Sequence, residues 1–240
     1  MRELQRSFKP AMRLENLELA CFLKGGAQEE LSWWISEFPS HTHSPFKPPR
    51  VDQVVTTDAS GIGWGGVSRG ERTGGPWSRE EVELHINGKE LLAAFLGLKS
   101  FVLPTSRSVR LQIDNTTAIS YINRKGGSHS RTLHYLARDL WQWAFEHDIH
   151  LVATHIPGVQ NVIADAESRE MVDEEWSLSE NVVREIFDHF GEPMIDLFAS
   201  RLNEKCGSYF SWRRDPEALG AMHLPSLGQD WRRTHSHHSH

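Results

Sequence analysis

Val54-Val55-Thr56-Thr57-Asp58-Ala59-Ser60-Gly61-Ile62-Gly63-Trp64-Gly65-Gly66-Val67 sets two short apolar runs on either side of an acid in a Ser/Gly bend. The β-branched first run reads as a buried strand, and the Gly-rich continuation, with Trp64 and Val67 alternating, reads as its antiparallel partner. A carboxylate, Asp58, therefore lands where a strand ends. Taken alone, an Asp ahead of Ser-Gly is a turn residue bonding its own backbone. Three later acids change its weight.

Working outward, Gly74-Gly75-Pro76-Trp77 has turn chemistry, and Val82 to Ile86 alternates as a third strand does. Asn87-Gly88-Lys89-Glu90 has capping-box spacing, with Asn87 as N-cap and Glu90 at the third position. Leu91, Phe95, Leu98 and Val102 then recur as a helical stripe, which Pro104 ends. Glu90 thus has a structural reading beside any chemical one. Val109-Arg110-Leu111-Gln112-Ile113-Asp114 alternates and again ends in an acid. Asn115 caps the next helix, where Ala118, Ile119 and Ile122 share a face and Gly126-Gly127 closes it. A longer helix from about Thr132 carries Leu133, Leu136, Leu140 and Trp143. Strand Ile149 to Thr154, the turn Ile156-Pro157-Gly158 and a short helix capped by Asn161 follow, placing Asp165 one turn in.

Three consecutive strands, a helix, a strand, helices, a strand and a helix imply an α/β protein with a mixed sheet flanked by helices. In such sheets, sites gather at strand ends. Asp58, Glu90, Asp114 and Asp165 each fall at a strand end or in a first helical turn, so they can converge on one carboxylate cluster. An empty cluster repels itself. Hard divalent cations relieve the repulsion, and magnesium takes a few carboxylates plus water and phosphate oxygens. Two such ions about 4 Å apart activate a water and stabilise the leaving oxygen of a phosphodiester.

Composition bounds these readings. With 240 residues, 38% hydrophobic and 24% charged, the chain has the make-up of an ordinary globular protein. No apolar run spans a membrane and the N-terminus lacks a secretory core, so an intracellular protein is expected. Cys21 and Cys206 fit no metal-ligand spacing. The net charge of −6 argues against gripping nucleic acid by overall basicity. Lys99, Arg107, Arg110, Arg124, Lys125 and Arg131, against Asp114 alone, nevertheless form a basic stretch.

The flanks read differently. Residues 1–50 look like a connector, with helical spacing from Leu14 to Leu23, an apolar cluster at Leu31 to Ile35, and a break at Pro39, Pro45, Pro48 and Pro49 among His41 and His43. Residues 171–240 form an extension whose Val182, Val183, Ile186 and Phe190 have helical spacing, ending in a histidine-rich tail expected to be disordered.

Thr57-Asp58-Ala59-Ser60, Lys89-Glu90-Leu91-Leu92-Ala93, Ile113-Asp114-Asn115, and His155-Ile156-Pro157-Gly158 with Asn161 to Asp165 resemble the four motifs of retroelement RNase H domains over residues 51–170. Gly74 to Trp77, His85 to Asn87 and Tyr121 to Gly127 extend the likeness to DIRS-type retrotransposons, as does Asp196 to Asn203 in the following segment. The resemblance implies a five-stranded RNase H-like sheet, three antiparallel strands then parallel ones. It implies an endonuclease that hydrolyses the RNA strand of an RNA–DNA hybrid, leaving a 3′ hydroxyl and a 5′ phosphate. Asp58, Glu90, Asp114 and Asp165 would hold two Mg²⁺ or Mn²⁺ ions. Asn115, Asn161, Arg124 and Lys125 are candidate hybrid contacts, Asn115 and Asn161 reading equally as caps.

Two departures matter. The loop Gly158-Val159-Gln160-Asn161 is short and offers no histidine, so His155 either substitutes for the usual loop histidine or ends a strand. The basic handle helix of some cellular enzymes is missing. A reverse transcriptase domain encoded separately would then supply hybrid affinity. The alternative reading is a catalytically inactive nucleic-acid-binding or scaffold fragment of a retroelement. A transposase or integrase is disfavoured by the Asp, Glu, Asp, Asp order.

Overall fold

The computed structural model describes residues 2–13, 18, 20, 22–37, 49–170 and 177–221. Helices α1 (Arg2–Arg13) and α2 (Gly25–Glu37) precede strands β1 (Gln53–Ala59), β2 (Gly63–Ser68) and β3 (Glu71–Pro76). Next come α3 (Arg79–Val82), α4 (Ile86–Phe101), β4 (Ser108–Ile113), α5 (Thr116–Asn123) and α6 (Arg131–Glu146). β5 (His150–His155), a single 3-10 turn over Gly158–Gln160 and α7 (Val162–Arg169) close the main unit. α8 (Glu180–Phe190) and the short strands β6 (Asp196–Leu197), β7 (Tyr209–Ser211) and β8 (Gly220–Ala221) follow.

Strands β1 to β5 form one mixed sheet in the order β3-β2-β1-β4-β5. β1 to β3 pair antiparallel, and β4 and β5 run parallel to β1. This is the α/β arrangement that the element order and the RNase H resemblance imply. Alternation along the strands decides the faces. Val55 and Thr57 are fully buried, whereas Val54 stays exposed; Val109, Leu111 and Ile113 are all buried. With Leu91, Leu98 and Phe101 of α4 and Leu133 and Leu140 of α6 they make the main core. Each large apolar side chain buried there contributes about 1.5–3 kcal/mol.

α4 covers one face of the sheet and α7 the other, and glycine permits both approaches. A Cβ on Gly97 of α4 would lie 2.5 Å from Thr57 Cγ2. One on Gly65 of β2 would lie 2.2 Å from the Ala164 carbonyl oxygen and 2.5 Å from the Ser168 nitrogen. Only a residue without a side chain lets the backbone of α7 rest on β2.

Three local expectations are corrected. The third strand is β3, not Val82 to Ile86, and Gly74, Gly75 and Pro76 belong to it rather than to a turn. Ser78-Arg79-Glu80-Glu81 instead starts α3 with a true capping box, Ser78 Oγ accepting from the Glu81 N–H and the Glu81 carboxylate from the Ser78 N–H. That local pair of bonds outcompetes the alternation. The cap of α4 is His85, whose Nδ1 accepts from the Asn87 N–H, so Glu90 takes no part in capping. The N-terminal helix is Arg2–Arg13, and the expectation for Leu14 to Leu23 falls mostly outside the described residues.

The Leu31 to Ile35 cluster lies in α2, where Trp33 meets Phe145 of α6 edge-on at 6.0 Å. Glu3 of α1 approaches His134 of α6 at 3.4 Å. The C-terminal strands form a parallel sheet, β6-β7-β8, joined to the main unit by Arg201 to Glu81 at 2.7 Å and by Arg214 to Glu71. The expected α8 is present, although of its four stripe residues Val183 alone is buried. Pro39, Pro45, Pro48, His41, His43 and the terminal histidines lie outside the described residues. Among the described residues no helix is long and apolar enough to cross a membrane.

Candidate active site

Parallel register brings the first two acids together. Thr56 of β1 lies opposite Gln112 of β4, and Asp58 and Asp114 each follow two residues further along these parallel strands. Glu90, on the second turn of α4, is aimed at the same sheet end because Gly97 lets that helix lie close on β1. One carboxylate oxygen from each of Asp58, Glu90 and Asp114 lies within 4.8 Å of the other two.

Burial makes this trio costly without a cation. Glu90 is 4% exposed, and its Oε2 is buried with no hydrogen-bond partner. Burial first, then the charges of Asp58 and Asp114, pushes its carboxyl up to about 9. Asp58 is pushed up to about 6, mainly by burial, with Asp114 and Asp165 adding to the rise and the Ser168 hydroxyl opposing it. Like charges in a dry pocket resist ionisation. Three converging carboxylates, one of them carrying a buried oxygen with no hydrogen-bond partner, fit a divalent cation such as magnesium or manganese.

Asp58 is also held. Ser168 Oγ donates to its Oδ2 at 3.0 Å, and Asn161 Nδ2 donates to its Oδ1 and to the Thr57 carbonyl, both at 3.1 Å. Asn161 begins α7 but its side chain makes no cap bond, which corrects the cap reading. At 2% exposed, it faces Asp58 instead. Such outer partners orient a ligand carboxylate.

Asp165 stands apart from the trio. Its side chain is 44% exposed and pairs with Arg169 at 2.8 Å, one turn along α7. It remains near enough to raise Asp58. Gly158 borders Asp114, since a Cβ there would lie 3.5 Å from Asp114 Oδ2.

The other candidates spread around this end. His155 is exposed at the end of β5, opposite Ile113, with no hydrogen bond among the described residues. Asn115 caps α5 by accepting from the Ala118 N–H, and its Nδ2 donates to Asn87 Oδ1 at 2.9 Å. Arg124 and Lys125 follow α5 exposed, the Lys125 ammonium 4.6 Å over the Trp141 ring. Elsewhere in the basic stretch, Lys99 pairs with Glu217 and Arg107 with Asp148. Sequence reasoning missed Ser168 and Arg169. The Asp165/Arg169 spacing of four was legible as a helix pair; the reach of Ser168 to Asp58 was not.

No protein-family model matches the chain, and no curated protein sequence matches it. Among solved structures, RNase H1 from the halophilic archaeon Halobacterium salinarum NRC-1 is similar at 19% identity, covering 53% of this chain and 100% of that one, with a TM-score of 0.41. LC11-RNase H1 in complex with RNA/DNA hybrid is similar at 20% identity over 51% of this chain and 98% of that one, TM-score 0.42. A foamy viral protease-reverse transcriptase in complex with dsDNA is similar at 12% identity over 65% of this chain and 35% of that one, TM-score 0.31.

Proposed function

We propose that the chain is a divalent-cation-dependent endonuclease that hydrolyses the RNA strand of an RNA–DNA hybrid. The observation that carries this is the convergence of Asp58, Glu90 and Asp114 within 4.8 Å, with a buried oxygen of Glu90 left without a hydrogen-bond partner. Those three acids would hold the cation, and Asp165, now paired with Arg169, would be the fourth ligand. When bound, a pair of Mg²⁺ or Mn²⁺ ions supplies an activated water and neutralises charge on the phosphate. Asn161 and Ser168 keep the Asp58 carboxylate turned toward the site. Asn115, Arg124 and Lys125 meet the hybrid, where strand choice requires reading 2′ hydroxyls across a wide minor groove. The motif likeness to DIRS-type elements makes a retroelement origin part of this reading, with a separately encoded reverse transcriptase as partner.

The test is incubation of the purified protein with a labelled RNA–DNA hybrid in magnesium, manganese, calcium or chelator. Cleavage of the RNA strand is expected in magnesium and manganese. Calcium, with its looser geometry, is expected to bind without turnover. Undiminished cleavage in excess chelator, or none in any divalent cation, overturns the proposal.

A further inference from the structure

A cleft of about 740 Å³ opens between the β2–β3 edge and the small C-terminal sheet, with Glu170 at the end of α7 on its rim. Its lining carries Arg79, Arg201, Arg213 and Arg214 against Glu170 and Asp215, an excess of positive charge on a chain of net charge −6. Two of these arginines hold the walls together. Arg201 reaches both oxygens of Glu81 and the Pro76 carbonyl, and Arg214 pairs with Glu71. Asp215 is already used, accepting from the Tyr209 hydroxyl and the Arg201 N–H. One of the other two is uncommitted. Arg79 is exposed and forms no ion pair among the described residues, whereas Arg213 bridges Glu167 at 3.7 Å and Glu170 at 3.6 Å.

Beside them Trp212 is 48% exposed and stacks on Phe198 with ring centroids 4.1 Å apart and planes 20° from parallel. Phe198 has φ of 71°, a left-handed conformation that bulky side chains avoid, and its N–H donates to the Phe210 carbonyl. Strain kept at a half-buried Phe198 beneath an exposed Trp212 marks a place where the fold holds a flat surface ready. A braced indole next to an uncommitted guanidinium group is the pairing that takes a nucleobase on the ring and a phosphate on the cation. A pocket of this size encloses a small ligand, leaving room for a nucleotide or two and not for a duplex.

We propose that this cleft binds single-stranded nucleic acid, stacking a base on Trp212 and placing a phosphate on Arg79. The site is separate from the acid trio and does not depend on hybrid cleavage. The test is fluorescence anisotropy of labelled oligo(dT) with the full chain in chelator, so that the result stands whether or not the protein cleaves anything. Binding at low salt is expected, and Trp212→Ala should weaken it about 5- to 100-fold. Arg79→Ala should weaken it too and lower the salt slope by about 0.7. Arg79 is exposed, so that variant keeps its fold, and Trp212→Phe keeps a ring should Trp212→Ala melt. Absence of binding, binding unchanged in Arg79→Ala and Trp212→Ala, or displacement by a phosphopeptide as readily as by unlabelled oligo(dT) overturns the proposal.

Discussion

Ser168 Oγ donates to Asp58 Oδ2 at 3.0 Å, tying the last helix of the five-stranded unit to its first strand across 110 residues. The same hydroxyl opposes the rise of the Asp58 carboxyl. Ser168→Ala should therefore protonate Asp58 more readily and leave its carboxylate freer to rotate. We expect the magnesium concentration for half-maximal cleavage to rise about 10- to 100-fold, with stability lowered by about 1 kcal/mol. An unchanged magnesium titration would show that Ser168 does not position Asp58.

Asp58→Asn and Asp165→Asn should part company in stability. Asp58 sits among repelling acids, so losing its charge is expected to hold or raise the metal-free melting temperature while cleavage falls by orders of magnitude. Asp165 loses a surface pair with Arg169, worth about 0.3–0.5 kcal/mol. Cleavage in Asp165→Asn should fall as well if Asp165 joins the cation. A well-folded Asp58→Asn protein that still cleaves would end the nuclease reading.

The raised carboxyls predict an inverted pH dependence. In the native state Asp58, at about 6 against an ordinary 3.8, and Glu90, at about 9 against 4.5, hold protons that the unfolded chain has released. Where the native state binds more protons, stability falls as pH rises. The metal-free melting temperature should thus drop steadily from about pH 5 to about pH 9, and Glu90→Gln should flatten its upper part. Magnesium should reduce the drop, since cation binding strengthens as the acids ionise. A flat metal-free profile in the native protein would contradict the burial of these charges.

Gly65→Ala should damage fold and site together. Its Cβ would meet α7 backbone at 2.2 Å, and α7 carries Ser168 and Asp165. We expect a loss of about 1–3 kcal/mol or more. Gly61→Ala, where nothing lies within 4 Å, is the control and should melt like the native protein. Equal melting temperatures for the two variants would mean that α7 does not rest on β2.

Residues 51–170 alone should fold cooperatively, because β1 to β5 and the helices covering them close within that span. The fragment loses the Arg201 bonds to Glu81 and the Arg213 contacts to Glu167, so its melting temperature should fall by several degrees. Thermal unfolding of the fragment checks this, and absence of a transition would make the C-terminal sheet part of the folding unit.

Local chemistry was legible in the residues themselves. The alternation of Val109 to Asp114, the Asn115 cap and the stripe of Leu133 and Leu140 each lie within one window of chain, where period and capping act. Even there, competition misled: Ser78 and Glu81 made a helix turn where Val82 to Ile86 alternates, and His85 took the cap expected of Asn87. The acids at strand ends could be named, but their meeting could not. That Asp58 meets Asp114 is a matter of parallel register, and that Glu90 closes the trio while Asp165 turns to Arg169 is a matter of helix packing. Asn161 and Ser168 reach Asp58 across 103 and 110 residues only because Gly65 lets α7 lie flat on the sheet. Such contacts belong to no window of sequence, and tertiary packing alone decides them.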